Sequence, residues 1–336
     1  MKISGMLGAD LDMAPLAIGE LEARGYDSAF TAEINNDPFF GLVLAAEHSK
    51  KIALSTSISV AFARNPMTMA NLGWDLNQYS KGRFTLGLGS QIKPHITRRF
   101  SMPWSKPASR MKEFVQAMRA IWACWENDAP LRFEGEFYQH TLMTPMFTPA
   151  KKEFGPPRVN VAAVGPRMTE VAAEVADGMI AHGFTTPKYL AEVTLPAIER
   201  GLAASGRART DFDVNCPIMV VAGATEEAFA QSKEAIRAQL GFYASTPAYR
   251  PVLEIHGWGD LQTQANQFTS EGKWDALGEL IDDEILNTFA VVCENSDDVP
   301  KTLKSRYEHL VDTWQCSVET GDRESQQKLL AAVRAA

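Results

Sequence analysis

Residues Phe84–Phe100 read FTLGLGSQIKPHITRRF. A short apolar run ends in Gly87-Leu88-Gly89-Ser90-Gln91. Lys93, His95, Arg98 and Arg99 follow at once. Glycines at the end of a strand, with cations just beyond, raise the prospect of a nucleotide-phosphate loop. A dinucleotide fingerprint needs a third glycine, where Ile92 stands, and a helix that opens directly. Neither is present, so the stretch is not a Rossmann loop. It reads as a strand, Arg83–Gly89, followed by a polar loop. The small residues either fill the narrow top of a barrel or leave room for a flat ring.

Outward from this strand, apolar runs alternate with amphipathic ones. Strands are expected at Lys2–Leu7, Ser28–Ala32, Lys51–Val60, Arg83–Gly89, Arg158–Val164, Gly178–His182, Asp213–Ala222 and Thr288–Glu294. Helices are expected between them, among them Met13–Arg24 ending at Gly25, Pro66–Ser80, and Lys106–Glu126 with Met111, Val115, Met118 and Trp122 at helical spacing. Eight strand-helix units running one way predict an α/β fold, a (β/α)8 TIM barrel. A doubly wound sheet is the alternative. The chain reads as one domain over 1–336 with insertions at about 128–157 and 242–286. The first holds a hairpin at Leu131–Thr141 with Gly135 at its turn, and a loosely docked helix is expected over Glu319–Ala336.

The bulk composition excludes several functions. The 336 residues are 45% hydrophobic and 22% charged, with net charge −8, so no broad basic face suits nucleic acid. The four cysteines, Cys124, Cys216, Cys293 and Cys316, form no CxxC pair and have no histidines at zinc spacing. No metal site is expected. The N-terminus lacks a signal-peptide core, and no run of about 18 apolar residues is present. A cytoplasmic protein that engages no membrane is expected.

Active sites of such barrels sit at the carboxyl ends of the strands. That face should carry Glu33 and Asn35 after strand two, Ser57 to Arg64 at the end of strand three, and Gly87 to Arg99 at and after strand four. Ala163 to Arg167 should follow strand five, and His182 strand six. Val164-Gly165-Pro166-Arg167 leaves a strand and opens a helix with proline in its first turn. The free N–H groups there, with Arg167 beside them, suit a phosphate. Lys93 and Arg99 form a candidate second wall. Glu33 leaves its strand abruptly and is a candidate general base or hydrogen-bond acceptor, with Asn35 and His95 as further polar groups at the reacting face. No Gly-x-Ser-x-Gly, HExxH or Walker pattern is present.

At these residues the chain resembles the bacterial luciferase-like flavin family, and within it the oxidoreductases that use the deazaflavin coenzyme F420. The matching blocks are TAEINNDPFFGLVLAAEHS (31–49), STSISVAFARNPMTMA (55–70), the long run at 80–122 containing GRFTLGLGS, PPRVNVAAVGPRMTEVAAEVADGMIAHGF (156–184) and FYASTPAYRPVLEIHGWGDL (242–261). The resemblance implies a TIM barrel with the coenzyme across the strand ends. It implies a non-prolyl cis peptide behind the ring at Ser57-Ile58. It places the phosphate at Val164, Gly165, Pro166 and Arg167, and a contacting loop at Gly89, Ser90 and Gln91. A homodimer is also implied.

The sequence departs from the family's sugar-phosphate dehydrogenases. Glu33 matches their acid after strand two, but Ile34 stands at the neighbouring histidine, Pro38 near a tryptophan, and Ile92 near a glutamate of the strand-four loop. The expected function is hydride transfer between F420 and a small organic substrate, with Trp258 and Phe242 of the second insertion roofing the pocket. The alternatives are an FMN-dependent monooxygenase and a non-catalytic flavin or deazaflavin-binding protein.

Overall fold

In the computed structural model, which describes residues 1–150, 153–316, 318 and 322–335, eight parallel strands close into a barrel. They are β1 Lys2–Met6, β2 Ser28–Thr31, β3 Ala53–Thr56, β4 Phe84–Gly89, β5 Arg158–Ala163, β6 Gly178–Ala181, β7 Asp213–Cys216 and β8 Thr313–Cys316. Around the ring the order is sequential. β1 pairs with β8 at one side and β2 at the other, and the β3–β4 pairing, Leu54 opposite Phe84, completes the closure. Outward-facing Ile3, Leu54, Leu86 and Val161 are buried beneath the helices.

The helices begin where the sequence places start signals. They are α1 Ala14–Arg24, α2 Pro38–His48, α3 Pro66–Tyr79, α4 Pro107–Asn127, α5 Pro166–Val175, α6 Leu195–Ser205, α7 Glu226–Ala244 and α8 Arg323–Ala335. The Asp37 carboxylate accepts from Phe39 N at 2.9 Å to cap α2. Asn65 accepts from Thr68 N at 3.0 Å to cap α3. Each cap satisfies a backbone donor that the helix start leaves free, and fixes where the loop above the barrel ends.

β8 was expected at Thr288–Glu294, and the structure corrects this. Asp283–Phe289 is a helix, and Val291–Val292 pairs with Val220–Val221 in a separate two-stranded ribbon. The eighth barrel strand is Thr313–Cys316, whose polar Gln315 faces the barrel axis and hides the apolar pattern. Strand seven also ends earlier than expected, at Cys216. Pro217 has no N–H with which to continue the ladder. α8 is firmly docked rather than loose. Leu329, Leu330 and Val333 are buried, and Gln326 donates to the Tyr26 hydroxyl at 2.9 Å. Residues 319–321 and 336 of that expected segment, and 151–152 of the first insertion, lie outside the described residues.

The first insertion carries the expected hairpin, Phe133–Glu134 paired with Gln139–His140. The Glu113 carboxylate of α4 accepts from Phe137 and Tyr138 N–H at 2.6 Å each and pins the hairpin along α4. The second insertion folds as short helices around its own apolar cluster, including Leu253, Leu286 and Phe289, which packs on Phe184 and Tyr189 after β6.

The glycines of β4 serve the barrel itself. A Cβ at Gly87 would overlap the Thr56 carbonyl oxygen of β3, and one at Gly89 would lie 2.6 Å from Ile58 Cδ1. The space that the sequence suggests for a flat ring is filled by strand three. Gly87→Ala should therefore destabilise the fold by about 3 kcal/mol, the scale of a strained overpacked core. Gly165→Ala, with nothing within 4 Å of the new methyl, should cost only the roughly 1 kcal/mol of replacing a glycine N-cap by alanine. Thermal unfolding of the two variants checks the contrast.

Candidate functional site

The end of β3 is gripped from several sides. The Ser57–Ile58 peptide is cis. Ser57 N donates to Thr31 O at 2.7 Å, and Glu33 N donates to Ile58 O at 3.0 Å. The Glu33 carboxylate, only 7% exposed, accepts from Val60 N at 2.8 Å and from Arg64 Nη1 at 2.6 Å. Arg64 reaches Asp37 with its other nitrogen at 2.9 Å. Glu33 was expected as a general base or as a hydrogen-bond acceptor, and the structure gives it the second role. Its carboxylate is committed to an ion pair and a backbone donor, and ties the strand-two loop to strand three. Arg64, near the edge of the segment singled out in the sequence, is its partner 31 residues away.

The strand-four loop turns sharply. Gln91 has a left-handed φ of 58°, and its side-chain oxygen accepts from Ile92 N at 3.0 Å. The Ser90 hydroxyl donates to Gln91 O at 3.1 Å. His95–Arg99 then forms one π-helical turn with Ile96 buried beneath it. Arg99 donates to Ile34 O at 2.6 Å and lies over the Phe100 ring. Arg99 thus braces the strand-two loop rather than standing free as a phosphate wall. Lys93 and His95 are exposed on the same loop, as is Asn35 on the strand-two loop. The two loops also present Ile34 and Ile92 as exposed apolar side chains.

After β5, Ala163 is buried and Val164 leads into the start of α5. Gly165 is the N-cap, with no side chain capping the helix, and Pro166 holds the first turn. The N–H groups of Gly165, Arg167 and Met168 have no acceptor within the helix. Open space lies over Gly165. The Arg167 side chain is 74% exposed and 3.6 Å from Glu170. This end of the helix can hold an anion through its amides and macrodipole.

After β6, the His182 ring is enclosed by Tyr249 and Tyr243, with centroids at 4.5 and 4.7 Å. Phe184 N donates to its Nδ1 at 3.0 Å, which puts the ring proton on Nε2. Burial lowers the His182 pKa from 6.5 to about 4, so the ring is neutral at pH 7. His256 stacks on Trp258 at 4.9 Å and meets the Thr186 hydroxyl at 2.9 Å. The ring wall at His182 is therefore Tyr243 and Tyr249. Trp258 lies one step away, and Phe242 is exposed beside Trp274.

The sequence reading missed Gln315, whose Nε2 donates to Ser57 Oγ at 2.7 Å. Nothing local marks it, because the bond depends on which strand is the eighth.

The profile of the luciferase-like monooxygenase family matches residues 9–313, so the chain belongs to that family. An uncharacterized protein of Mycobacterium tuberculosis is 53% identical over 312 residues, covering 93% of this chain and 92% of its own length. The F420-dependent glucose-6-phosphate dehydrogenase of Intrasporangium calvum is 29% identical over 208 residues, covering 57% and 60% of the two chains. The structure of the coenzyme F420-dependent tetrahydromethanopterin reductase from Methanopyrus kandleri superposes with a TM-score of 0.78 at 20% identity, covering 98% and 96%. Among the described residues no helix is long and apolar enough to cross a membrane.

Two outcomes follow from this geometry. Glu33→Gln should lower stability by about 1–2 kcal/mol, because it removes the buried carboxylate and leaves the Arg64 guanidinium only Asp37, the more exposed of its two charge partners. Chemical denaturation measures it, and adding Arg64→Met should recover part of the loss. His182 has a folded pKa below its unfolded value. It contributes its stability in full above pH 6.5 and loses it as pH falls toward 4. The size is about 3 kcal/mol. A His182→Phe variant should lose less stability than the wild type between pH 6.5 and 4, measured by denaturation across that range.

Proposed function

We propose that the protein binds coenzyme F420 across the carboxyl ends of the barrel strands and transfers hydride between it and a small organic substrate. The observation that supports this cofactor most directly is the sequence likeness to an F420-dependent enzyme over 208 residues. The residues present fit the group. The uncapped start of α5 offers amide donors and an open approach at Gly165, as a phosphate requires, and Arg167 adds a cation. Ser57 and Ile58 form a rigid back wall, held by Glu33 and Gln315. Gln91 and Ser90 border it from strand four.

A bound deazaflavin supplies a two-electron hydride carrier, with carbon in place of the central ring nitrogen. The chain's own residues hold and shield it. The neutral His182 offers an N–H donor without bringing a charge into the site. The aromatic wall of Tyr243 and Tyr249 excludes water. Glu33 is held by Arg64, and Ile34 and Ile92 carry no proton-transfer group. Oxidation of a sugar-phosphate hydroxyl, which needs a base beside that hydroxyl, is therefore disfavoured. The second reading is a monooxygenase, the activity that the description of the family carries, with FMN as its cofactor. A soluble homodimer is part of the proposal.

Titration with F420 and with FMN, read by fluorescence, tests the cofactor. F420 should bind the more tightly. Arg167→Ala should weaken F420 binding by about 1.5 kcal/mol, the low end for a charge-assisted bond because the side chain is exposed. Preferential binding of FMN favours the monooxygenase reading. An unchanged dissociation constant in the Arg167 variant removes that residue from the phosphate site.

A further inference from the structure

We propose that Gln315 is a positioning residue that aims the Ser57 hydroxyl proton at the bound ring. This rests on the cofactor reading above and assigns a role on the opposite side of the barrel. Successive side chains of a strand alternate between faces. Trp314 is fully buried and donates through its indole N–H to Ile218 O at 3.1 Å, while Gln315 points to the other face, toward the barrel axis. In the sheet, β1 and β2 stand between β8 and β3. The Gln315–Ser57 bond therefore crosses the interior instead of running along a neighbouring strand. It is buried enough to hold direction, with Gln315 6% exposed.

The direction of the bond carries the consequence. Gln315 Nε2 is the donor, so Ser57 Oγ uses a lone pair on it and keeps its own proton for another acceptor. The Ser57 backbone is fixed by its N–H bond to Thr31 O, so the hydroxyl can turn only about its own side chain. Among the described residues the Ser57 hydroxyl donates no hydrogen bond, and Ser57 is partly exposed on the strand-end face. Flavin and deazaflavin rings carry carbonyl acceptors along their edge. A serine whose donor role is preset by Gln315 serves such an acceptor better than one free to rotate, because less orientational freedom is lost on binding.

Three variants test this by F420 fluorescence titration, absorbance of the bound coenzyme and thermal melting. Ser57→Ala removes the donor without touching strand eight. Gln315→Met removes the amide while keeping the length. Gln315→Glu keeps the shape and a hydrogen bond but reverses it, making Ser57 the donor to the carboxylate. Each should raise the F420 dissociation constant by about fivefold. All three should shift the bound coenzyme's absorbance in the same sense. In the Ser57→Ala background, either change at Gln315 should add less than about a twofold effect.

A Gln315 effect as large without the Ser57 hydroxyl as with it, or Gln315→Glu binding like the wild type, overturns the assignment in favour of a purely structural bond. If Gln315→Glu does not fold, the Gln315→Met and Ser57→Ala pair decides between the same two outcomes. A wild-type protein that binds no F420 overturns the cofactor reading, and this assignment with it. Wild-type binding with unaltered variants overturns this assignment alone.

Discussion

Strands three and four meet at Gly87 so closely that the position tolerates no side chain, and a Cβ at Gly89 would press on the Ile58 side chain. The Thr56 hydroxyl donates to Gly87 O at 2.7 Å and accepts from Gly87 N at 2.9 Å, and the Ser59 hydroxyl donates to the same carbonyl at 3.1 Å. The β3–β4 pairing is one seam of the closed ring. It also sets the height and tilt of the segment Ser57–Val60, which rises from strand three into the strand-end face. Everything placed on that face is positioned relative to this seam. A methyl group at Gly87 therefore disturbs closure and site together.

The same segment is then held from two directions. Glu33 and Arg64 grip it from the strand-two side. Gln315 reaches it across the interior from strand eight. The loops above are tied to one another, Arg99 to Ile34 O and Asn36 to Ala9 O. Charged groups on this face are largely spent on such ties. What remains open is the uncapped start of α5, the exposed Lys93 and His95, and the neutral His182 in its aromatic enclosure. A face of that kind favours anchoring an anion at one end and a planar, weakly charged ring at the other.

The barrel was legible because its signals are local. Proline and capping residues mark the starts of α2, α3 and α5, and β-branched or small apolar runs mark most of the strands. The eighth strand was not, because Thr313-Trp314-Gln315-Cys316 carries a polar side chain toward the axis, while Val291–Val292 offers the apolar run that a strand usually shows. The helix start of α5 was readable, since proline after glycine at the end of a strand has a direct physical meaning. For Glu33 and the β4 glycines the sequence left two roles open each, and local pattern could not choose between them. Glu33 looks like a base until Arg64 is brought beside it, and Gly87 looks like room for a ligand until the Thr56 carbonyl fills the space. In each case the deciding partner lies about 30 residues away in the chain. The position of the cis peptide was legible only through resemblance to the family.

A crystal structure of the protein with F420 tests the central claim most directly. The account predicts the deazaflavin ring against Ser57 and Ile58, bordered by Gln91 and facing His182, with its phosphate at Gly165–Arg167. The opposite, N-terminal mouth of the barrel holds a cavity of about 570 Å³ lined by Lys2, Arg158, Arg209 and Asp213. Coenzyme bound there, or a phosphate held away from the start of α5, contradicts it.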